Sequence, residues 1–541
     1  MRESRLRNAD LRLGYVAAAG VLALVLASAV GAATAGSDVR VSTHDLITTD
    51  AFASSVGGPP DVLQQNEPHI AVHPANASIV AVGMNDSRTV GISDDAWQGL
   101  AVSANGGATY TESLVPGYPG DTSAAGLASP IRGNAAASDP WLGFDSFGNL
   151  YYAFVAFQRT PPGKPANTTA NALAVAKYSV NAATGVVSYV KTVVLERGTV
   201  GLGQQEDKEA LAIDNSPTSP FNGNVYVCWA RFTGGQNHVT VVYSSDHGET
   251  WSTSRFVGPQ RNVNNMQGCN LAVEPDGDVY VGYRTFDNNS TNSNPNDSAI
   301  FVARSADGGA TFSTPVQVTT FVDYRQNATR TPPVFRTFSD VSMAADANGV
   351  YIAWQGRNGS AGSDVFVSRS KTNGGSWETP VVANDNVPGH QLMPALAAAG
   401  GVLSIIWYDS RSEPAFTARG PVTGQCPAGA TTQADCTGME VFYDQASTTA
   451  AGLLAFGTDL AVTDDSFNPN TYGSIKAITP FIGDYIAVAA TPTTAYVVWT
   501  DNRDVNPTLN AQEDADQTTD PPALVNRRSR DANIYFDRIT K

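Results

Sequence analysis

The chain has 541 residues, a length at which a single compact core stops growing and a fold must either split or repeat. Gly (49) and Pro (31) are plentiful and only 15% of residues are charged, which describes many short strands and turns and excludes a helical protein rich in Leu, Glu and Lys. The net charge of −17 excludes nucleic acid and anionic membrane surfaces as partners, because a uniformly acidic surface repels both.

Residues 1–12 carry four Arg against one Glu and one Asp. An Ala/Leu/Val-rich run from Leu13 ends in Ala33-Thr34-Ala35 before Gly36, a small-x-small pattern. This predicts a signal peptide over 1–35, a secreted protein, and no membrane span in the mature chain. The run is long for a signal core, so an uncleaved N-terminal membrane anchor is the alternative. Residues 36–60 then form an N-terminal segment, and 61–541 a single domain.

Within that domain one pattern recurs seven times: a polar residue, a short apolar strand, a Gly/Asn/Pro turn, and a second apolar strand ending in a polar cluster. The copies span 67–88, 139–159, 207–231, 267–284, 340–357, 391–411 and 484–503, about 70 residues apart on average. The strands are almost continuously apolar, as strands buried on both faces must be. Trp141, Trp229, Trp354, Trp407 and Trp499 fall on these hairpins, where they pack between sheets, although one near a channel would also stack a sugar ring.

After four hairpins comes a second motif, Ser-x-Asp-x-Gly-x-Thr-Trp in its full form. It reads SANGGATY at 103–110, SSDHGETW at 244–251, SADGGATF at 305–312 and SKTNGGSW at 370–377. The third position (Asn105, Asp246, Asp307, Thr372) accepts backbone N–H groups across a tight turn, and Gly takes a backbone angle others avoid. On these motifs the chain resembles the Asp-box (BNR-repeat) proteins of the sialidase-like superfamily over residues 60–540. The resemblance implies an all-β propeller of four-stranded blades, with the motif between the third and fourth strands, away from the ligand face. True sialidases have six blades, but seven hairpins predict seven. The last hairpin is followed by one further strand, 532–539, so the segment 38–44 is expected to supply the missing outer strand and close the ring.

Cys228 and Cys269 lie on strands of successive repeats, and Cys426 and Cys436 bracket a Pro/Gly/Ala loop. Two disulfides with those pairings suit an exported protein. No Cys/His cluster has metal spacing, so no metal or other cofactor is expected. Calcium is conceivable only at the polar loops 287–297 and 513–520. The histidines 69 and 73 read as lone surface residues.

Every hairpin ends in Arg: Arg88, Arg159, Arg231, Arg284, Arg357, Arg411 and Arg503. Each begins with an acid or amide: Glu67, Asp139, Asp207, Gln267, Asp340, Gln391 and Asp484. Antiparallel pairing brings both sets to one edge, around the channel mouth. Either each Arg forks onto a carboxylate and ties blades together, or a subset binds an anionic substrate.

The resemblance implies an exo-sialidase-type glycoside hydrolase with three arginines on a sugar carboxylate, a Tyr nucleophile activated by Glu, and an Asp acid. Tyr485 matches the nucleophile in place, Glu209 the activating base, and Asp139 or Asp207 the acid. The family's Phe/Tyr-Arg-Ile-Pro signature is missing: the first hairpin begins Glu67-Pro68-His69, and Pro130-Ile131-Arg132-Gly133 does not replace it. The expected function is therefore a secreted propeller, acting as a monomer, that binds a glycan or another anionic ligand, or a protein, at its Arg/acid face. A catalytic glycosidase and a structural or adhesive exported protein are the alternatives.

Overall fold

Short runs of β-branched and aromatic residues, cut by Gly, Asn and Asp turns, form 28 strands among the described residues. The computed structural model describes residues 31–42, 64–89, 95–158, 171–198, 204–233, 236–258, 265–286, 298–326, 334–359, 362–413, 415–418, 420–426, 436–449, 451–470, 480–504 and 532–541. The first strand, β1 (Val39–Arg40), stands apart in sequence. Blade 1 follows with β2 (Gln65–Val72), β3 (Val80–Asp86), β4 (Trp97–Ser103) and β5 (Thr111–Leu114). Blade 2 has β6 (Ala136–Phe144), β7 (Asn149–Phe157), β8 (Ala172–Val180) and β9 (Val187–Arg197). Blade 3 has β10 (Gln204–Ile213), β11 (Val225–Thr233), β12 (Gln236–Ser244) and β13 (Arg255–Phe256). Blade 4 has β14 (Met266–Val273), β15 (Val279–Phe286), β16 (Ser298–Ser305) and β17 (Val316–Phe321). Blade 5 has β18 (Ser342–Asp346), β19 (Gly349–Arg357), β20 (Ser363–Ser370) and β21 (Val381–Val382). Blade 6 has β22 (Gln391–Ala399), β23 (Val402–Asp409), β24 (Glu440–Ser447) and β25 (Leu460–Ala461). Blade 7 has β26 (Ala487–Ala490), β27 (Thr494–Asp501) and β28 (Asn533–Thr540).

Each blade is a four-stranded antiparallel sheet, and blade 7 takes β1 as its outer strand in the order β1-β28-β27-β26. The inner strands pack in the cyclic order β2, β6, β10, β14, β18, β22, β26 and back to β2. The chain is therefore a seven-bladed propeller closed by its N-terminal strand, as the repeat count and the missing outer strand predicted. The closing segment extends beyond β1: Thr34 pairs with Thr540, and the Gly36 amide donates to the Arg538 carbonyl. The expected cleavage point after Ala35 falls inside this pairing, and residues 1–30 lie outside the described set. No described helix is long and apolar enough to cross a membrane.

Tryptophans fill the wedges between blades. Trp97, Trp229, Trp354, Trp407 and Trp499 are almost completely buried in separate inter-sheet clusters. Trp141, on the second hairpin, is only half-buried. Four turns between third and fourth strands share one geometry, at the sheet edge opposite the channel mouth. The Ser hydroxyl accepts a Gly amide at 2.8–2.9 Å in all four, from Gly107, Gly248, Gly309 and Gly374. Asn105, Asp246, Asp307 and Thr372 accept the amide four residues on at 2.8–3.0 Å. Thr372 thus makes the bond with a hydroxyl where the other three use a carboxylate or amide oxygen.

Both disulfides form as paired in the sequence reading, Cys228–Cys269 and Cys426–Cys436. The first joins β11 to β14 and so ties blade 3 to blade 4. Its closed loop is the longer, with a separation of 41 residues against 10. Loop-closure entropy is then about 4 kcal/mol for the first and about 3 kcal/mol for the second. The double variant Cys228→Ala/Cys269→Ala is expected to melt below Cys426→Ala/Cys436→Ala, and both below the parent, in thermal denaturation. Equal midpoints for the two variants would contradict the inter-blade role.

Candidate functional site

Five inner strands carry a β-bulge at the same place. Register slips between Asn66 and His69, Ser138 and Trp141, Asp207 and Ala210, Gln267 and Asn270, and Leu392 and Ala395. The extra residue takes a left-handed backbone at each: Glu67 (φ 53°), Asp139 (φ 61°), Lys208 (φ 55°), Gly268 (φ 62°) and Met393 (φ 53°). Three are followed by Pro68, Pro140 and Pro394, which a bulge tolerates because the missing N–H has no ladder partner there. The bulges gather these residues at the channel mouth. Gly268 is required to be small, because a Cβ would lie 2.3 Å from an oxygen of Asp340.

Lys208 is the centre of the cluster. Its ammonium bonds Asp484 and lies 3.6 Å from Asp139 and 3.9 Å from Glu67. Arg336, ahead of β18, grips Asp484 with two bonds of 2.8 and 2.6 Å. Glu67 accepts from the Asn85 side chain at 2.6 Å and from the Asp484 amide at 3.1 Å. Gly483 (φ 92°) lies against it, where a Cβ would sit 2.7 Å from the Glu67 Cγ.

The electrostatics follow from burial. Desolvation pushes Glu67 up to about 8, against the pull of Lys208. Desolvation also raises Asp207 to about 7, helped by the neighbouring Asp139 charge and a hydrogen bond between the two carboxyls. Burial works against charge on Lys208 and Asp484 as well, but the facing opposite charges win, and both stay ionised. Burial, then Asp139, holds Glu209 well above the carboxylate range. Burial, then Glu67, Asp139 and Glu209, holds the Tyr485 proton on.

A cavity of about 240 Å³ opens beside this cluster, lined among others by His69, Asp139, Trp141, Lys208, Glu209 and Tyr485. His69 packs on Trp141 at 4.1 Å between ring centroids and accepts the Leu142 amide on Nδ1. Burial keeps His69 neutral, with its pKa lowered to about 3. Trp141 lies 6.4 Å from Tyr485. Neither carboxyl oxygen of Glu209, nor the Tyr485 hydroxyl, is hydrogen-bonded to another described residue, although all three atoms are buried.

The expected catalytic residues Tyr485, Glu209, Asp139 and Asp207 thus meet at one mouth. Tyr485 and Glu209 are not hydrogen-bonded to each other. The arginines behave differently. Arg88 pairs with Asp86 and Glu112, Arg231 with Glu206 and Glu196, and Arg284 with Asp323 and Asp340. Arg411 pairs with Asp409 and Asp459, and Arg503 with Asp501 and Asp38. Arg357 stacks on Tyr324 and donates to the Ala418 carbonyl. Arg159 lies outside the described residues. None of the six described arginines lines the cavity. In Asp-x-Arg the Asp accepts the Arg amide and guanidinium together, and Asp409 and Asp501 also accept from Trp407 and Trp499.

Gln391 is fully buried on Asp409 rather than at the mouth, because the bulge lies two residues later. His73 is buried too, so neither it nor His69 is the surface residue that the sequence predicted. Lys208 and Arg336 were missed. Lys208 lies between the candidates Asp207 and Glu209, where the acids draw the attention, and Arg336 lies between repeats. The Glu-Pro, Asp-Pro and Met-Pro pairs inside apolar strands were the legible sign of the bulges.

Among the described residues, one carboxylate triad is close enough for a cation: Glu274, Asp276 and Asp278, on the far-edge turn of blade 4. Asp278 is already bound by Arg304 and Glu274 by the Tyr280 hydroxyl. The two polar loops considered for calcium lie outside the described residues.

No protein-family model and no curated protein sequence matches the chain. Solved structures similar to it include the Trypanosoma rangeli sialidase in complex with the inhibitor DANA, at 14% identity and a TM-score of 0.40. That match covers 64% of this chain and 53% of the other, so the chain spans about half of that structure's length. The phage phi92 endosialidase is similar at 9% identity and a TM-score of 0.46, covering 94% of this chain and 69% of that one. A protein of unknown function from Dyadobacter fermentans is similar at 14% identity and a TM-score of 0.42, covering 71% and 96%. At these identities no residue role carries across.

Glu67 and Asp207 make stability fall with rising pH. Their folded pKa values exceed the ordinary 4.5 and 3.8, so between those limits the folded protein holds protons that the unfolded chain has released. Asp38 and Asp444, both raised by burial to about 7, act in the same direction. The melting midpoint is expected to be higher at about pH 6.5, above which the lowered histidines add little, than at about pH 8.5. Glu67→Gln should shrink that difference; a midpoint that rises with pH would contradict the assignment.

Proposed function

We propose that this protein is a glycan-binding propeller whose ligand occupies the cavity at the channel mouth. The observation that carries this reading is the set of buried, unpartnered polar atoms on the lining residues Glu209 and Tyr485. A buried polar group left without a partner costs about 1–3 kcal/mol, and a sugar's hydroxyls supply such partners. Trp141, half-buried in the same lining, offers the flat apolar face on which a pyranose ring stacks. The volume is below the roughly 300–1,000 Å³ of drug-sized sites, which favours one ring over an extended chain.

An anionic ligand is the weaker form of the idea. The six described hairpin arginines are engaged elsewhere, and Lys208 and Arg336 are already held by carboxylates. Hydrolysis with Tyr485 as nucleophile is weaker for a related reason: the carboxyls around it oppose its ionisation, and it lacks the hydrogen bond to Glu209 that would activate it. Export fits the two disulfides, which persist in oxidising compartments.

On a glycan array followed by calorimetry, the parent protein is expected to bind a terminal sugar. Trp141→Ala and Glu209→Gln should each weaken binding about tenfold or more. A fluorogenic sialoside should not be turned over. Turnover that Tyr485→Phe abolishes would replace the binding reading with the hydrolytic one.

A further inference from the structure

Resting on the glycan-binding reading, we propose that the sugar this cavity prefers carries a free amine, bound as an ammonium by Glu209. The first ground is that every described cation at the mouth is already engaged. Six carboxyl groups surround the mouth: Glu67, Asp139, Asp207, Glu209, Asp340 and Asp484. Facing them are Lys208 from β10, Arg336 from the segment before β18, and Arg284, which lies 3.8 Å from Asp340 and is shared with Asp323. Each of these cations already contacts at least one carboxylate, so none remains to neutralise Glu209.

The second ground is Glu209 itself. It is 2% exposed, lines the cavity, and bonds to no other described residue through either oxygen. The charged and titratable groups facing it are Asp139 from β6, Asp207 and Lys208 from its own strand, Tyr152 from β7 and Tyr485 ahead of β26. Burial first, then the neighbouring Asp139, keeps Glu209 protonated in the empty cavity, and Lys208, already engaged, does not offset them. A neutral sugar hydroxyl can partner one of its oxygens but leaves that balance unchanged. An ammonium brings three donors and the charge that lets Glu209 ionise. The ring faces of Trp141 and Tyr485 favour a cation as well, and Lys208 already lies 5.7 Å over Tyr485. A carboxylate-bearing sugar would meet acids on most sides.

The test compares three matched monosaccharide sets by calorimetry: neutral hexoses, their 2-amino-2-deoxy forms and the N-acetylated amines. The amino sugars are expected to bind at least about tenfold tighter than either of the others. Binding should release about one proton, read from the dependence of the heat on buffer ionisation enthalpy. In Glu209→Gln the amine advantage should fall to within about twofold, with proton release lost. If the neutral or N-acetylated sugars bind as well as the amines, or no proton is released, the amine preference is overturned and the glycan reading stands. If none of the three sets binds and the glycan array is also blank, the glycan reading falls and the amine preference with it.

Discussion

An ammonium largely withdrawn from water survives only where carboxyl groups replace its lost hydration, and Lys208 meets that condition with groups from three other blades. Glu67 comes from blade 1, Asp139 from blade 2, and Asp484 from the start of blade 7. The tightest contact joins residues 276 positions apart in sequence. Lys208 also holds a left-handed backbone, which costs about 1–2 kcal/mol for an ordinary side chain. The bulge that imposes this conformation delivers the ammonium to the axis. Much else at the mouth follows from it: Asp484 is ionised because Lys208 and Arg336 face it, while Glu67, farther from the lysine, is not.

The propeller was legible in the sequence because it is repetition, and repetition survives the loss of every detail. Seven apolar hairpins gave the number of blades, and the lone strand after the last hairpin called for one from the N-terminus. One disulfide followed from cysteines on neighbouring hairpins and the other from a pair bracketing a single loop. The site was legible only in part. The described hairpin ends share one edge, but an edge has an inner and an outer side. Arg88, Arg411 and Arg503 fold back onto the Asp two residues before them and reach outward, toward Glu112, Asp459 and Asp38. Side-chain direction there depends on the turn following the strand, which a strand pattern does not encode. The inward positions were set by the bulges, which shift the residue at the axis two places along from Gln391 and one from Asp207.

The two edges of the sheets have different work. The far edge carries the four serine turns, each satisfied within eight residues of sequence, so blades 1, 3, 4 and 5 finish their own outer hairpins with local bonds. The mouth is the reverse: its bonds cross from blade to blade and its residues come from distant repeats. A site built this way exists only when the ring is complete. The disulfide between Cys228 and Cys269 strengthens that dependence, because Cys269 follows Gly268 in the bulge and itself lines the cavity.

The seam of blade 7 has a mechanical consequence. Because β1 runs antiparallel to β28, with Thr34 opposite Thr540, the two ends of the described chain emerge side by side at the same corner. Tension applied through those ends loads the seam in peeling mode. Its bonds then fail one after another from Thr34 inward, instead of sharing the force as they would in shear. A chain anchored at one end and tugged at the other would lose its toroid first at that corner, and the axial lysine cluster only after Asp38 had released Arg503.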